Sequence, residues 1–187
     1  MKALESTKWL SLATAKDDAR PALMNVYSNI AADGFRLHID KALPSLEKDK
    51  VPFDFSVVVD PCYKYVNHID FDPNYVVTAM KALKQFKCYI VRIVICEDTM
   101  KFIGKTTDYN DVSIEILIPL HEKIGDDFEI GFNPHFLLDA ISGYVQFDTV
   151  SMYTITAPKP GNNPAWFKNQ IDDDRNVILM PMRLGKE

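Results

Sequence analysis

The feature that most constrains the fold is a pattern that occurs twice in the chain. Residues 69–79 read IDFDPNYVVTA, and residues 130–140 read IGFNPHFLLDA. With Phe71 and Phe132 as equivalents, the offset is 132 − 71 = 61 residues. In each copy apolar residues alternate, as they do in a strand, and an Asp-Pro or Asn-Pro pair follows. The pattern predicts two parts built on one plan, although two such starts could also coincide by chance.

The Asp-Pro and Asn-Pro pairs are typical of helix starts. The side-chain oxygen of Asp72 or Asn133 can accept a hydrogen bond from a free amide of the first helical turn. Pro73 or Pro134 then occupies the first helical position, where its missing N–H costs nothing. The sequence therefore predicts a helix after each proline, and the second helix should end near Gly143.

Strand-like runs follow both predicted helices, so that each unit has the order strand, helix, three strands. The runs are Cys88–Cys96, Met100–Gly104 and Val112–Ile118, and then Thr149–Thr156, Trp166–Ile171 and Val177–Met182. The first part of the chain fits less closely, with a helix over Ala3–Ala13 and strands near Ala22–Ser28, Gly34–Ile39 and Phe53–Val59. We predict an α+β protein of about three units, at residues 1–66, 67–124 and 125–187.

Charge and composition argue against general phosphate binding, membrane insertion and export. The net charge is −5 and the pI is about 5.4, whereas a protein that holds nucleic acid by general phosphate attraction is normally basic. Any contact with DNA must therefore depend on a local basic patch or on topological retention of the DNA. No apolar run has the length of a membrane span, and the N-terminus lacks an export signal. Three cysteines without CxxC spacing indicate reduced thiols, so we expect a cytoplasmic protein.

Residues that could support catalysis or bind a cofactor do not form a known motif. The chain has no GxGxxG, phosphate loop, HExxH or GxSxG. We interpret His68–Asp70 and His121–Glu122 as isolated pairs at strand ends. Asp172–Asp174 is interpreted as a solvated turn rather than a metal site, because it lacks a glycine-punctuated loop. We expect no enzyme activity, no metal and no cofactor.

Four segments resemble the bacterial DNA sliding clamp family, the beta subunit of DNA polymerase III. The ending NVILMPMRL (Asn176–Leu184) is similar to the end of these clamps, and FEIGFNPHFLLDAI (Phe128–Ile141) is similar to a strand and helix of their third domain. RPALMNV (Arg20–Val26) and AADGFRLH (Ala32–His38) resemble two further clamp segments. The resemblance implies repeated units with antiparallel sheets outside and helices inside, around a central hole. It also implies a homo-oligomer, since this chain has only some of the units of a ring.

In that family an apolar cleft accepts short peptides carried by DNA polymerases and other replication or repair proteins. The resemblance places its wall on Arg20, Leu23, Gly34, Phe35, Arg36, Leu37, Ile178, Leu179, Met180, Pro181, Met182, Arg183 and Leu184. The residue types agree with this, because methionines adapt to several ligands and arginines can hold peptide carbonyls or acidic flanks. The alternative interpretation is that the VILMPM and RPAL segments are simply buried strands.

Contact with duplex DNA is the second function that the resemblance implies. Helices that face the hole should carry basic residues, and Lys81, Lys84, Lys2 and Lys8 are the candidates. These lysines could equally form an ordinary solvated surface. Three hypotheses remain open: a clamp-like processivity or recruitment factor, a peptide-binding adaptor or decoy that does not encircle DNA, and a structural protein whose repeat serves assembly only.

Overall fold

The computed structural model describes residues 5–16, 19–45, 50–106, 113–155, 163–171 and 174–184. The helices are α1 (Ser6–Ser11), α2 (Ser56–Cys62), α3 (Pro73–Gln85) and α4 (Pro134–Ile141). The strands are β1 (Ile30–Ala32), β2 (Arg36–Asp40), β3 (Asn67–Phe71), β4 (Cys88–Cys96), β5 (Thr99–Thr106), β6 (Ser113–Pro119), β7 (Glu122–Ile124), β8 (Phe128–Phe132), β9 (Val150–Thr154), β10 (Ala165–Lys168) and β11 (Arg175–Leu179). The predicted α+β class is confirmed.

Both predicted helix starts are confirmed in detail. The Asp72 carboxylate accepts a hydrogen bond from the amide of Asn74 at 2.7 Å. The Asn133 side chain accepts one from the amide of His135 at 2.9 Å. Each cap satisfies a first-turn donor that has no partner within the helix, so the two helices begin where the Asx-Pro pairs predict.

The strands form two antiparallel sheets. One has the order β1-β2-β11-β10-β9-β3-β7, and the other has the order β6-β5-β4-β8. Strand β3, which precedes α3, pairs with β9, which follows α4. Strand β8, which precedes α4, pairs with β4, which follows α3. The two copies of the repeated pattern therefore exchange their opening strands, and α3 packs against α4.

The seven-stranded sheet is covered on both faces. Val177 and Leu179 of β11 point into the larger core, which contains residues of α1, α3 and α4. Ile178 points the other way, into a smaller core with Val59 and Cys62 of α2. This alternation follows from the two-residue period of a strand. On this second face α2 packs against β2 and β11.

Two predictions for the first part of the chain are wrong. The segment Phe53–Val59, predicted as a strand, contains the start of helix α2. The Asp54 carboxylate accepts hydrogen bonds from the amide and hydroxyl of Ser56, at 3.0 and 2.6 Å, and so favours a turn at that point. The segment Ala22–Ser28, also predicted as a strand, begins in a 3-10 turn that spans Pro21–Leu23. The predicted helix Ala3–Ala13 is observed as α1, and residues 1–4 lie outside the described residues.

Candidate functional site

The C-terminal strand and the bend before β2 are direct neighbours. Strand β11 pairs with β2 so that Ile178 lies opposite Leu37 and Leu179 lies opposite Arg36. The pairing continues past the strand, because the amide of Met180 donates to the carbonyl of Phe35 at 2.8 Å. Two segments that are more than a hundred residues apart in sequence thus form one continuous surface.

A mostly apolar cleft of about 230 Å³ opens on the second face of the sheet, between these strands and the start of α2. Residues of three predicted segments line it: Leu23, Gly34, Phe35, Arg36, Leu37, Ile178 and Met180. Leu37 and Ile178 are buried at its base, whereas Phe35 is 48% exposed and Met180 is 39% exposed. The cleft therefore combines a fixed apolar floor with two accessible apolar side chains.

The bend at Asp33–Arg36 is built by a side-chain cap and a glycine. The Asp33 carboxylate accepts hydrogen bonds from the amides of Phe35 and Arg36, at 2.9 and 3.0 Å. Gly34 has φ +88°, a region that side chains with a Cβ rarely adopt. A Cβ at this position would also lie 2.8 Å from Nη1 of Arg20. The positive φ therefore favours glycine at this bend, and a larger residue would also displace the end of the Arg20 side chain.

The Arg36 guanidinium is bound by the protein itself. Its Nε lies 2.9 Å from the Asp33 carboxylate, and its Nη1 lies 2.6 Å from that of Asp139. Its Nη2 donates to the carbonyl of Leu12, and the group packs 4.4 Å from the centre of the Phe136 ring. Arg36 is only 5% exposed. It therefore joins the bend to α1 and α4, which differs from the predicted role of holding a peptide.

Arg20 lies at the mouth of the cleft. Its Nη1 donates to the carbonyl of Asp33, and its guanidinium carbon lies 5.1 Å from the centre of the Phe35 ring. Phe35 in turn stacks on Phe136, with ring centres 5.9 Å apart. Arg20 is half-buried, and through these contacts it supports the bend that borders the cleft.

The end of the chain leaves the cleft after Met180. Leu179 is buried in the larger core on the opposite face of the sheet. The amide of Met182 donates to the carbonyl of Gly131 at 2.8 Å, and Leu184 covers Gly131 closely enough that a Cβ there would lie 2.7 Å from it. The predicted cleft residues that do not line this cavity are Arg20, Leu179, Pro181, Met182, Arg183 and Leu184.

One wall of the cleft was missed in the sequence. Phe53, Asp54, Phe55 and Val58, at the start of α2, face Leu23, Leu37 and Met180 across the cavity. The aromatic residues support each other, since Phe53 contacts the rings of Tyr27 and Phe55 edge-on at 5.9 and 6.5 Å. The turn over Asp54–Ser56 is the sequence feature that could have indicated the start of a helix. The valines that follow it favour a strand and therefore pointed to the wrong element.

The predicted DNA-facing lysines lie on two helices. Lys81 and Lys84 are exposed on α3, opposite the side that buries Val76, Met80 and Leu83. Lys8 is exposed on α1, and Lys2 lies outside the described residues. Lys84 is in the last turn of its helix, where a cation is also favoured by the helix dipole.

The described histidines and acidic residues that the sequence singled out do not line the cleft, and Cys62 is buried at the end of α2. His68, Asp70 and Glu122, predicted to belong to isolated pairs, lie together on the seven-stranded sheet. His121 is separate, and its Nδ1 lies 3.0 Å from the hydroxyl of Thr149. Burial raises the pKa of the Cys62 thiol to about 11, so this cysteine is a packing residue rather than a nucleophile. Residues 172–173 of the predicted acidic turn are outside the described residues.

No helix in the described part of the chain is long and apolar enough to cross a membrane.

Solved structures of bacterial sliding clamps share this fold. A clamp of Bartonella birtlesii, bound to griselimycin, has a TM-score of 0.75 and 16% identity, over 96% of this chain and 64% of the clamp. The beta subunit of Thermotoga maritima has a TM-score of 0.73 and 17% identity, over 99% and 68%. A Pseudomonas aeruginosa clamp, also bound to griselimycin, has a TM-score of 0.72 and 18% identity, over 98% and 65%. The chain thus spans about two thirds of these clamps.

The search of curated proteins gives no match. The family described as DNA polymerase III beta subunit, C-terminal domain, matches residues 86–183. This range begins at the end of α3 and includes β8, α4 and the C-terminal strand that borders the cleft, whereas β3 lies before it. The match extends over more than half of the sequence, and we conclude that the chain belongs to the DNA polymerase III beta subunit family.

Proposed function

We propose that this protein is a clamp-like recruitment factor that binds a short apolar peptide of a DNA polymerase, or of another replication or repair protein, in the cleft between β2, β11 and α2. The observation that carries the proposal is the pairing of the bend at Gly34–Leu37 with the C-terminal strand. These are two of the segments through which the sequence resembles the peptide-binding surface of sliding clamps, and here they border one cavity.

The chemistry of the cleft supports an apolar peptide as the ligand. The floor of Leu37 and Ile178 can bury one or two peptide side chains, and burial of a Leu or Phe contributes about 1.5–3 kcal/mol each. Met180 has an unbranched, polarisable side chain that can adjust to different anchors. Arg183 is exposed on the segment that follows Met180, and a side chain of this type can bind peptide carbonyls or acidic flanks.

Two neighbouring methionines provide a matched test of the cleft. The assay is titration with a fluorescent peptide of the Gln-x-x-Leu-Phe type. Met180→Ala should weaken binding about tenfold, which corresponds to roughly 1.4 kcal/mol, because Met180 lines the cavity. Met182→Ala should change the affinity less than about twofold, since Met182 lies beside Gly131 instead.

Competition with unlabelled griselimycin provides a second test of the cleft, because two of the related clamps were solved bound to this compound. If it acts on this chain at the same cavity, it should displace the fluorescent peptide. Absence of peptide binding, or equal losses in Met180→Ala and Met182→Ala, would contradict the proposed site.

We further propose that the protein is a cytoplasmic, non-enzymatic homo-oligomer that retains duplex DNA by topology. The exposed lysines of α1 and α3 support contact with phosphates, and a protein of net charge −5 is better suited to weak, sliding contacts than to tight binding. Strand β6, at the free edge of the four-stranded sheet, supports association between chains.

An adaptor that binds the peptide without encircling DNA is the second candidate. It is favoured by helix α4, whose sequence PHFLLDAI contains no Lys or Arg. Retention on nicked circular DNA that is lost on linearisation supports the encircling protein. Equal and weak retention on both forms supports the adaptor.

A further inference from the structure

The end of the seven-stranded sheet opposite the cleft carries a cluster of metal-binding side chains. His68 and Asp70 are two residues apart on β3 and therefore share one face of the sheet. Glu122 of the edge strand β7 lies directly opposite Asp70. One donor atom from each of the three side chains lies within 4.8 Å of the others. The strand register thus creates the cluster, which nothing in the local sequence shows.

The His68 ring is oriented as a metal ligand would be. Its Nδ1 lies 3.4 Å from the carbonyl of Val66, to which it can donate in the tautomer that leaves the lone pair on Nε2. The lone pair of Nε2 is then directed to the same side as Asp70, whose carboxylate is 3.9 Å away. The ring also stacks on Tyr153 at 4.8 Å. A histidine held by a backbone carbonyl through its other nitrogen is the usual arrangement in metal sites.

The charges at this position favour a cation. Asp70 is only 7% exposed, and its carboxylate accepts the Gln170 amide at 3.2 Å. Glu122 adds a second carboxylate directly across the strand pair, an arrangement that is destabilising for like charges. The neighbouring Lys123 is paired with Asp127 instead. A lone pair and two carboxylates therefore converge on one position, where a divalent ion would offset their repulsion.

We propose that His68, Asp70 and Glu122 bind a divalent transition-metal ion such as Zn²⁺, which fastens the short edge strand β7 to β3. One imidazole and two carboxylates form a donor set that Zn²⁺ accepts, whereas Mg²⁺ prefers oxygen ligands in octahedral geometry. The site lies on the same face of the sheet as the cleft but at the other end, with β10 and β9 between β11 and β3. It does not depend on the proposed peptide-binding function.

Calorimetric titration of the chelator-treated full chain with ZnCl₂ tests this site. We expect one equivalent to bind, and we expect Glu122→Gln and His68→Ala each to weaken binding by at least about tenfold. Glu122→Gln keeps the shape of an exposed side chain, so it tests the ligand role without altering the fold. His135→Ala, at an exposed histidine in the first turn of α4, should leave the affinity unchanged.

Thermal melting provides the second measurement. A ligand that binds only the folded state raises the melting temperature, so Zn²⁺ should stabilise the wild type and His135→Ala but not Glu122→Gln. MgCl₂ at the same concentration should have a much smaller effect. The proposal is overturned if the wild type binds no Zn²⁺, or if Glu122→Gln and His68→Ala bind it as the wild type does.

Discussion

His38 is a single residue that supports the cleft from the opposite face of the sheet. It lies on β2 next to Leu37, is fully buried, and stacks on Trp9 of α1 at 4.5 Å. Its Nδ1 lies 3.2 Å from the carbonyl of Trp9, whereas Nε2 has no hydrogen-bond partner among the described residues. Burial, followed by the charge of Arg36, lowers the pKa of His38 to about 3. The imidazole is therefore neutral in the folded protein at any ordinary pH.

The low pKa of His38 makes stability depend on pH. In the unfolded chain this histidine binds a proton near pH 6.5, and in the folded protein it does so only near pH 3. Between these values the unfolded state holds more protons, so the free energy of unfolding should fall as the pH falls below about 6.5. We expect His38→Phe, which keeps an aromatic ring against Trp9, to reduce this dependence.

Urea unfolding at several pH values between about 4 and about 7 measures the effect. The wild type should lose stability toward the acidic end more steeply than His38→Phe. Identical slopes for the two proteins would show that His38 does not titrate in the manner that its burial requires. His135→Phe, at an exposed position, is the matched control and should retain the wild-type slope.

Among the elements, strand β6 combines a position at the edge of a sheet with an exposed apolar side chain. It pairs on one side with β5 over the whole of its length and is the terminal strand of its sheet. Leu117 is 60% exposed, and Ile114 and Ile116 are only partly buried. An edge strand with free hydrogen-bonding groups and apolar side chains can pair with another chain. This strand is therefore the element that we expect to form contacts between copies.

Substitution of Leu117 by Lys tests this role of β6. A charge at this position opposes burial of the edge, so Leu117→Lys should shift the protein from larger assemblies toward the monomer. Light scattering coupled to gel filtration measures the mass. Val66→Lys, at an exposed apolar residue just before β3, should leave the mass unchanged. A wild-type mass equal to one chain at every concentration would contradict the expectation.

At the scale of the whole molecule, local chemistry made part of the fold predictable. The starts of α3 and α4 follow from Asp72 and Asn133, whose side chains cap the adjacent turns. The segment after Phe53 was mistaken for a strand because its valines have high strand propensity, whereas the Asp54–Ser56 turn and burial of Val59 decide for a helix. Tertiary contacts override propensity in such short segments.

The part of the candidate site formed by the paired strands β2 and β11 was predictable from the sequence, whereas the rest was not. Leu37 and Ile178 lie together because β2 pairs with β11, and both segments were identified from the sequence. The path of the chain after Met180 depends on the contact of Met182 with Gly131, which is distant in the sequence and which no local pattern indicates. The same applies to His68 and Glu122, which only the pairing of β3 with β7 brings together.

The central claim is that the cleft between β2, β11 and α2 binds a partner peptide. Methyl NMR of the methionines tests it most directly, because the chain contains seven methionines and they lie in different surroundings. Addition of the Gln-x-x-Leu-Phe-type peptide should shift the methyl resonance of Met180, at the cleft, and leave that of Met152, buried in the larger core, unchanged. An unchanged Met180 resonance at saturating peptide would contradict the claim.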